Sequence, residues 1–283
     1  MENRKRKAAR ALLLAGIIVC LLPFGQAYGQ SRQHRAQQEI LKEMVTEAPV
    51  EYPVQTNSAP QELSALVLPE QAEETGDEQP EETGDEQPEE KPAMLQQYVG
   101  LYEENRDLVG WLSIEGMKID YPVMQNGDDK YYLHRDFYGN DSKYGCLYVR
   151  KQADLDAGTN FIIYGHNMKD GSMFGDLDRY LEESFYKEHP TVSFDTLYEE
   201  RTYEILAVFR SQVYNADDDV FKYYQFYEAD TQEEFEDFYG NIKELSLYDT
   251  GVEAKFGDTF LTLSTCAYHV QDGRLVVVAK RVK

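Results

Sequence analysis

The sequence predicts a mainly β protein whose folded part is a closed, antiparallel-rich barrel. Strand-like runs dominate the chain from about residue 94 onward, turn signals and irregular loops separate them, and few segments have helical periodicity. Eight such runs are predicted as strands: 111–114, 118–123, 145–149, 160–165, 191–194, 202–214, 259–265 and 274–282.

Three segments of the folded part have the 3.6-residue periodicity of amphipathic helices. The first, of about four turns, begins near Met94 and carries apolar residues as far as Leu108. A short helix is indicated by Met173, Leu177 and Leu181. The longest runs from about Thr231 to Leu245, and Thr231-x-x-Glu234 is a capping box. Its apolar stripe is expected to pack on the barrel: Phe235, Phe238, Tyr239, Ile242 and Leu245.

Residues 1–29 combine a basic cluster with an apolar run. Five lysines and arginines within the first ten residues precede a run from Ala11 to Phe24. The pattern is typical of either a cleaved secretory signal, with Ala27-Tyr28-Gly29 as the cleavage site, or an uncleaved membrane anchor. Because the basic cluster stays in the cytoplasm, both interpretations place the folded part outside the membrane.

Residues 30–93 are predicted to be a polar helix followed by an acidic tether. The helix covers Gln30 to Thr46, with Ala36, Ile40 and Met44 on one stripe. The tether is rich in proline and acidic residues and repeats the octet Glu-Glu-Thr-Gly-Asp-Glu-Gln-Pro at 73–80 and 81–88. Such a segment buries too little apolar surface to offset its ordering entropy. It is either a spacer between membrane and folded part or a low-complexity insert.

The charge and the cysteine count exclude several functional classes. The chain has 28 lysines and arginines against 52 aspartates and glutamates, for a net charge of −24, which argues against a nucleic-acid partner. Three cysteines do not make a disulfide framework. The sequence has no cysteine and histidine spacing typical of a metal site, so we expect neither a metal nor a cofactor. The acidic run 217–219 is typical of a solvated loop.

Candidate catalytic residues stand at the ends of three predicted strands. Cys266 ends the run before the Asp272-Gly273 turn and Arg274 begins the run after it, so their side chains are expected to be close. His166 follows the buried run 160–165. A thiol beside a fixed positive charge, with a histidine to take its proton, suits nucleophilic acyl transfer. Arg274 cannot act as a base, so its expected role is to hold the substrate or stabilise an oxyanion.

The motifs around these residues resemble the sortase family, and are most similar to class B sortases. They are Tyr-Gly-His-Asn-Met-Lys-Asp-Gly-Ser-Met-Phe at 164–174 and Thr-Leu-Ser-Thr-Cys at 262–266, followed by Arg274. The resemblance covers residues 94–283. It implies an eight-stranded β-barrel with an N-terminal helix and, in class B, a helix inserted between the last strands before the catalytic cysteine, here at 231–245. Ala267 departs from the acidic residue found there in some relatives.

The resemblance implies a membrane-associated cysteine transpeptidase of a Gram-positive-type cell envelope. Cys266 would attack the threonine carbonyl of a C-terminal sorting signal of the kind Leu/Asn/Ser-Pro-x-Thr-Gly/Asn on a secreted protein. An amine on a peptidoglycan precursor would then resolve the thioacyl enzyme and anchor the protein to the wall. His166 would be the base, and Ser264, Tyr223 and Tyr224 are expected in the substrate groove.

Three alternatives stay open on the sequence. A pilus-type sortase would use a pilin lysine as acceptor, and a sortase-fold protease would let water resolve the intermediate. A non-catalytic surface binding module would keep only the fold, although the complete cysteine, histidine and arginine set argues against it. Cys146 is interpreted as a core thiol, and no catalytic role is expected for the remaining histidines of the folded part: His134, His189 and His269.

Overall fold

The computed structural model describes residues 28–46, 92–268 and 270–283. Most of the predicted signal or anchor, nearly all of the acidic tether and His269 lie outside these ranges. Within the described ranges, no helix is both long and apolar enough to cross a membrane.

Eight strands close into a barrel, as the sequence predicts. Their order around the barrel is β1-β2-β3-β4-β7-β8-β6-β5, and β5 pairs with β1 to close it. The strands are β1 (Leu108–Ser113), β2 (Asp120–Gln125), β3 (Leu147–Val149), β4 (Asn160–Gly165), β5 (Thr191–Thr196), β6 (Thr202–Gln212), β7 (Phe260–Cys266) and β8 (Gly273–Arg281).

Two of the eight strand pairs are parallel, and one of them positions the candidate catalytic residues. The β2–β3 and β4–β7 pairs are parallel and the other six are antiparallel. Because β4 and β7 run in the same direction, with Gly165 opposite Thr265, both strands end at the same edge of the barrel. The residues that follow them along the chain therefore emerge side by side.

Strands β4, β7 and β8 are buried on both faces. On the inner face, Ile163, Leu263 and Val277 belong to the barrel core. On the outer face, Ile162, Phe260 and Val276 pack against the inserted helix. Burial on both faces explains why these strands are nearly continuous apolar runs in the sequence.

In the described part of the chain, four α-helices accompany the barrel. They are α1 (28–46), α2 (Gln96–Glu104), α3 (Glu183–Glu188) and α4 (Gln232–Leu245). The predicted capping box of α4 is present: Glu234 N donates to Thr231 Oγ1, and Thr231 N donates to Glu234 Oε2. Phe235, Phe238 and Ile242 are buried against the outer face of the barrel, which confirms the inserted helix.

Some helix boundaries differ from the sequence prediction. Helix α2 has nine residues and ends before Asn105, whose side chain donates to Phe137 O at 2.6 Å. Leu108, predicted on the helix, is instead the first residue of β1. The predicted helix near Met173 is a 3₁₀ segment at Gly175–Leu181, and α3 was not predicted.

Helix α1 forms at the predicted place but buries a different face. Of the predicted stripe, Ile40 is 53% exposed, whereas His34, Gln38 and Leu41 are buried. This face contacts the barrel: Leu41 packs in the same core cluster as Trp111, Lys42 Nζ lies 3.0 Å from Asp120 Oδ2, and the His34 ring stacks on Tyr144.

Candidate active site

Cys266 and Arg274 are directly opposite each other on neighbouring strands. Cys266 is the last residue of β7, and the antiparallel register pairs it with Arg274 at the start of β8. The hydrogen bond from Ala267 N to Gly273 O, at 2.9 Å, closes the strand ends. Asp272 has φ of 54° in the connecting turn, a conformation that aspartate tolerates. The geometry therefore places a half-buried thiol beside a fixed cation.

His166 follows the last residue of β4, at the same edge of the barrel. Its Nε2 lies 2.8 Å from Leu133 O. A carbonyl oxygen can only accept a hydrogen bond, so Nε2 carries the proton, and Nδ1 is the basic nitrogen of the neutral ring. The Leu133 carbonyl thus fixes both the tautomer and the ring orientation. Sequence reasoning identified His166 but not this partner, because Leu133 is distant in the chain.

The loop after His166 connects the histidine to the cysteine. Asn167 Nδ2 donates to Cys266 O at 2.9 Å and lies 3.3 Å from Asp178 Oδ1. Phe174 N donates to His166 O at 2.9 Å, which folds the loop back on itself. These bonds fix the end of β4 relative to the end of β7.

A cavity of about 350 Å³ on the outer face of the barrel joins the candidate residues. Cys266, His166 and Arg274 all line it, so the structure brings the three predicted catalytic side chains together. The predicted groove residues Ser264, Tyr223 and Tyr224 line it as well. Seven further lining residues were not predicted: Leu133, Tyr148, Arg150, Tyr164, Gly165, Val213 and Thr265.

The Tyr223 hydroxyl and Ser264 Oγ form a buried hydrogen bond of 2.7 Å. It joins the segment before α4 to the middle of β7. Burial raises the pKa of Tyr223 to about 12, so its hydroxyl is neutral at physiological pH. Tyr224 stands edge-on to Tyr223, and its hydroxyl accepts from Tyr214 N at 3.1 Å. These bonds stabilise one wall of the cavity.

The other cysteine and histidines of the described chain lie outside this cavity lining. Cys146 is buried in the core, and burial raises the pKa of its thiol, which disfavours the reactive thiolate. His189 lies at the end of α3, and the exposed His134 ring is centred 6.2 Å from the His166 ring. No group of three or more potential metal ligands occurs among the described residues.

The family model, the curated relatives and the solved structures that match this chain all belong to one family. The Sortase domain family model matches residues 112–282. Sortase B of Listeria monocytogenes serovar 1/2a (strain ATCC BAA-679 / EGD-e) is 38% identical over 191 residues, which are 64% of this chain and 72% of the relative. The structure of the Staphylococcus aureus sortase B–substrate complex has a TM-score of 0.60 and 30% identity, covering 66% of this chain and 85% of that one. A sortase B complexed with triglycine has a TM-score of 0.60 and 29% identity, covering 66% and 86%.

The chain therefore belongs to the sortase family, whose members are cysteine transpeptidases. The inserted helix and the sortase B relatives place it in class B.

Proposed function

We propose that this chain cleaves a C-terminal sorting signal after threonine and transfers the new carboxyl end to an amine on a peptidoglycan precursor. The register pair of Cys266 and Arg274, with His166 in the same cavity, carries this proposal. That arrangement supplies a nucleophile, a base and a permanent positive charge around one reacting carbonyl.

The acylation step uses each of the three side chains. His166 Nδ1 takes the proton of the Cys266 thiol, and the thiolate attacks the threonine carbonyl carbon. Arg274 stabilises the oxyanion that forms. When the tetrahedral intermediate collapses, the C–N bond breaks, His166 returns the proton to the leaving amine, and a thioester to Cys266 remains.

An amine then resolves the thioester. Its nitrogen attacks the thioester carbonyl carbon as His166 takes one of its protons. When this second tetrahedral intermediate collapses, the C–S bond breaks, an amide bond remains, and His166 returns the proton to the released Cys266 sulfur. The relative that was solved with triglycine supports an amine acceptor, because that peptide carries a free amino group. A pilin lysine would follow the same steps, and water would give hydrolysis.

The cavity is the proposed groove for the peptide. Ser264, Tyr223 and Tyr224 line it beside Cys266, and their aromatic and hydroxyl groups suit a peptide of mixed polarity. The structure of a relative in complex with its substrate supports a substrate-binding role for this fold.

The location of the reaction also belongs to the proposal. Residues 1–29 would anchor the chain in the cell membrane, and residues 30–93 would connect the anchor to the catalytic domain at 94–283. The basic cluster followed by the apolar run supports this topology, with the catalytic domain outside the membrane.

A product assay with peptides tests the function. The purified full-length protein is incubated with peptides carrying Leu-Pro-x-Thr-Gly, Asn-Pro-x-Thr-Asn or Ser-Pro-x-Thr-Gly, with and without triglycine. Cleavage after threonine, with ligation to triglycine in preference to hydrolysis, is the expected result. Cleavage to a free acid, at a rate and with a product that triglycine does not change, would contradict the transpeptidase function and favour a sortase-fold protease.

A further inference from the structure

The charge of the catalytic cavity is opposite to that of the chain. The chain carries a net charge of −24, yet the cavity lining includes Arg150, Arg274 and His166 and no carboxylate among the described residues. A concave site lined by one sign of charge focuses its field on the ligand. The reaction accounts for Arg274 and His166 but not for Arg150.

Arg150 is a half-buried cation that follows β3 directly. Its guanidinium carbon lies 4.9 Å from the centre of the Tyr164 ring, another cavity-lining residue. In the described part of the chain it has no ion-pair partner, and the neighbouring Asp129 carboxylate accepts from Lys151 N instead. A ring face holds a guanidinium in place and leaves the N–H groups at its edge free to donate.

The strand register relates Tyr164, the ring on which Arg150 lies, to the reacting cysteine. Tyr164 is opposite Ser264, two residues before Cys266 on the neighbouring strand. Two residue rises and one strand spacing separate Tyr164 from Cys266 by roughly 8 Å. The guanidinium over the Tyr164 ring is therefore on the order of 10 Å from the reacting carbonyl, the length of about three residues of extended peptide.

We propose that Arg150 is a specificity-determining residue that binds the side chain of the residue three positions before the threonine of the sorting signal. The preferred side chain carries a carboxylate or a carboxamide oxygen, because the guanidinium donates to such groups in a planar, paired geometry. Among first residues of the Leu/Asn/Ser kind, Arg150 favours asparagine over leucine, and aspartate binds better still. This inference rests on the proposed function.

A charge-reversal experiment tests the inference. Four peptides that differ only at this position, with Asp, Asn, Leu or Lys, are compared by the rate of thioacyl adduct formation on the full-length protein. The wild type is expected to favour Asp and Asn over Leu by about tenfold or more, as a hydrogen bond to a charged group implies. Arg150→Glu is expected to reverse the order and favour Lys, and Arg150→Gln is expected to abolish the preference for Asp.

Lys151→Glu is the matched control, because it makes the same charge change at the next residue, whose exposed side chain does not line the cavity. It should keep the wild-type order. Equal loss on all four peptides in both Arg150 variants would overturn the inference and leave the proposed function standing. If the wild type forms no adduct with any peptide but Cys266 reacts with a small alkylating reagent, the proposed function fails, and this inference fails with it.

Discussion

Three side chains at strand ends carry the proposed chemistry, and backbone contacts set the position of each. Register places Arg274 opposite Cys266, and the Leu133 carbonyl holds the His166 ring. The β7–β8 turn holds the Arg274 side chain, since its Nη1 donates to Gly273 O at 2.9 Å and to Asp272 O at 3.1 Å. The remaining donors of its guanidinium are left for the substrate.

Removing the Arg274 guanidinium should slow thioacyl formation strongly. We expect Arg274→Ala to lower kcat/KM by about 10²–10³-fold, the usual cost of losing one oxyanion donor. The kcat/KM of Arg274→Lys should lie between those of the wild type and Arg274→Ala, because lysine keeps the charge but lacks the paired N–H groups of the guanidinium. Single-turnover adduct formation measures the effect. Lys280→Ala, on the same strand but bonded to Glu253 O, is the control and should react at the wild-type rate. Wild-type rates in Arg274→Ala would remove this residue from the mechanism.

Asn167 should act as a positioning residue, because its side chain holds the Cys266 carbonyl. Asn167→Ala is expected to lower kcat about 3–10-fold with little change in KM, as the loss of one neutral hydrogen bond implies. Asn167→Asp should be worse, since its carboxylate would face the Cys266 carbonyl and the Asp178 carboxylate. Steady-state kinetics separate kcat from KM, and Asn241→Ala on α4 is the control. A rise in KM alone would mean that Asn167 contacts the peptide instead.

The sequence was sufficient to predict which residue types line the site but not all of their partners. Cys266, His166 and Arg274 stand next to turn signals and within recognisable motifs, so local pattern identified them. Arg150 and Leu133 reach the cavity through strand pairing and loop packing. No local signal specifies contacts between residues so far apart along the chain.

At the scale of elements, the ends of β4 and β7 form the platform for the site. Gly165 is opposite Thr265, and Thr265 Oγ1 donates to Gly165 O at 2.8 Å. The glycine has a packing role, because a Cβ at this position would overlap the Leu147 side chain and lie 2.7 Å from Phe174 Cδ2. A larger residue would therefore displace the end of the strand that carries His166.

Gly165→Ala should reduce both stability and activity. Overpacking of a dense core costs about 1–3 kcal/mol, and the strand end that shifts in response leads directly into His166, the proposed base. Urea unfolding and adduct formation measure the two effects. Gly240→Ala is the control, since no atom outside its own helical backbone and its chain neighbours lies within 4 Å of the added Cβ, and alanine favours the helix. An active, fully stable Gly165→Ala protein would contradict this packing argument.

Strong local signals predicted most elements, and long-range contacts decided the rest. The Thr231 capping box and the α4 stripe formed as expected because both are local patterns. Helix α2 stopped early because Asn105 turns its side chain to Tyr132 and Phe137, which are distant in sequence. The parallel pairing of β4 with β7 could not be predicted either, because an apolar run does not specify the direction of the strand beside it.

At the scale of the whole molecule, α1 packs on the barrel next to the loop that follows His166. The His34 ring stacks on Tyr144, with centroids 4.1 Å apart and planes at 3°. Its Nε2 is buried and has no hydrogen-bond partner among the described residues. Ser31 Oγ lies 3.5 Å from Asp170 Oδ2, on the loop after His166. The helix thus packs beside the loop that follows His166.

Acid should weaken the attachment of α1. Burial lowers the pKa of His34 from 6.5 to about 4; Asp170 and Asp136 oppose this shift, and Arg35 and Lys143 add to it. Between these two pKa values the unfolded chain binds the proton and the folded chain does not. The contribution of neutral His34 to the free energy of unfolding is therefore fully present above pH 6.5. It is lost as the pH falls towards 4, by up to roughly 3 kcal/mol.

Denaturant unfolding at pH 7 and pH 5, compared between the wild type and His34→Phe, isolates this contribution. Phenylalanine keeps the stacking on Tyr144 and does not titrate. The His34→Phe protein should therefore lose less stability on acidification than the wild type. Equal losses in the two proteins would show that His34 makes no contribution.

The central claim is that Cys266 forms a thioacyl bond with a sorting signal. Intact-mass spectrometry of the full-length protein with a peptide panel, run beside Cys266→Ala, tests it most directly. We expect a peptide-specific mass increase equal to the segment ending in threonine, absent in Cys266→Ala and discharged faster by an added amine. An adduct that persists in Cys266→Ala, or no adduct with any peptide while the Cys266 thiol remains reactive, would contradict the account.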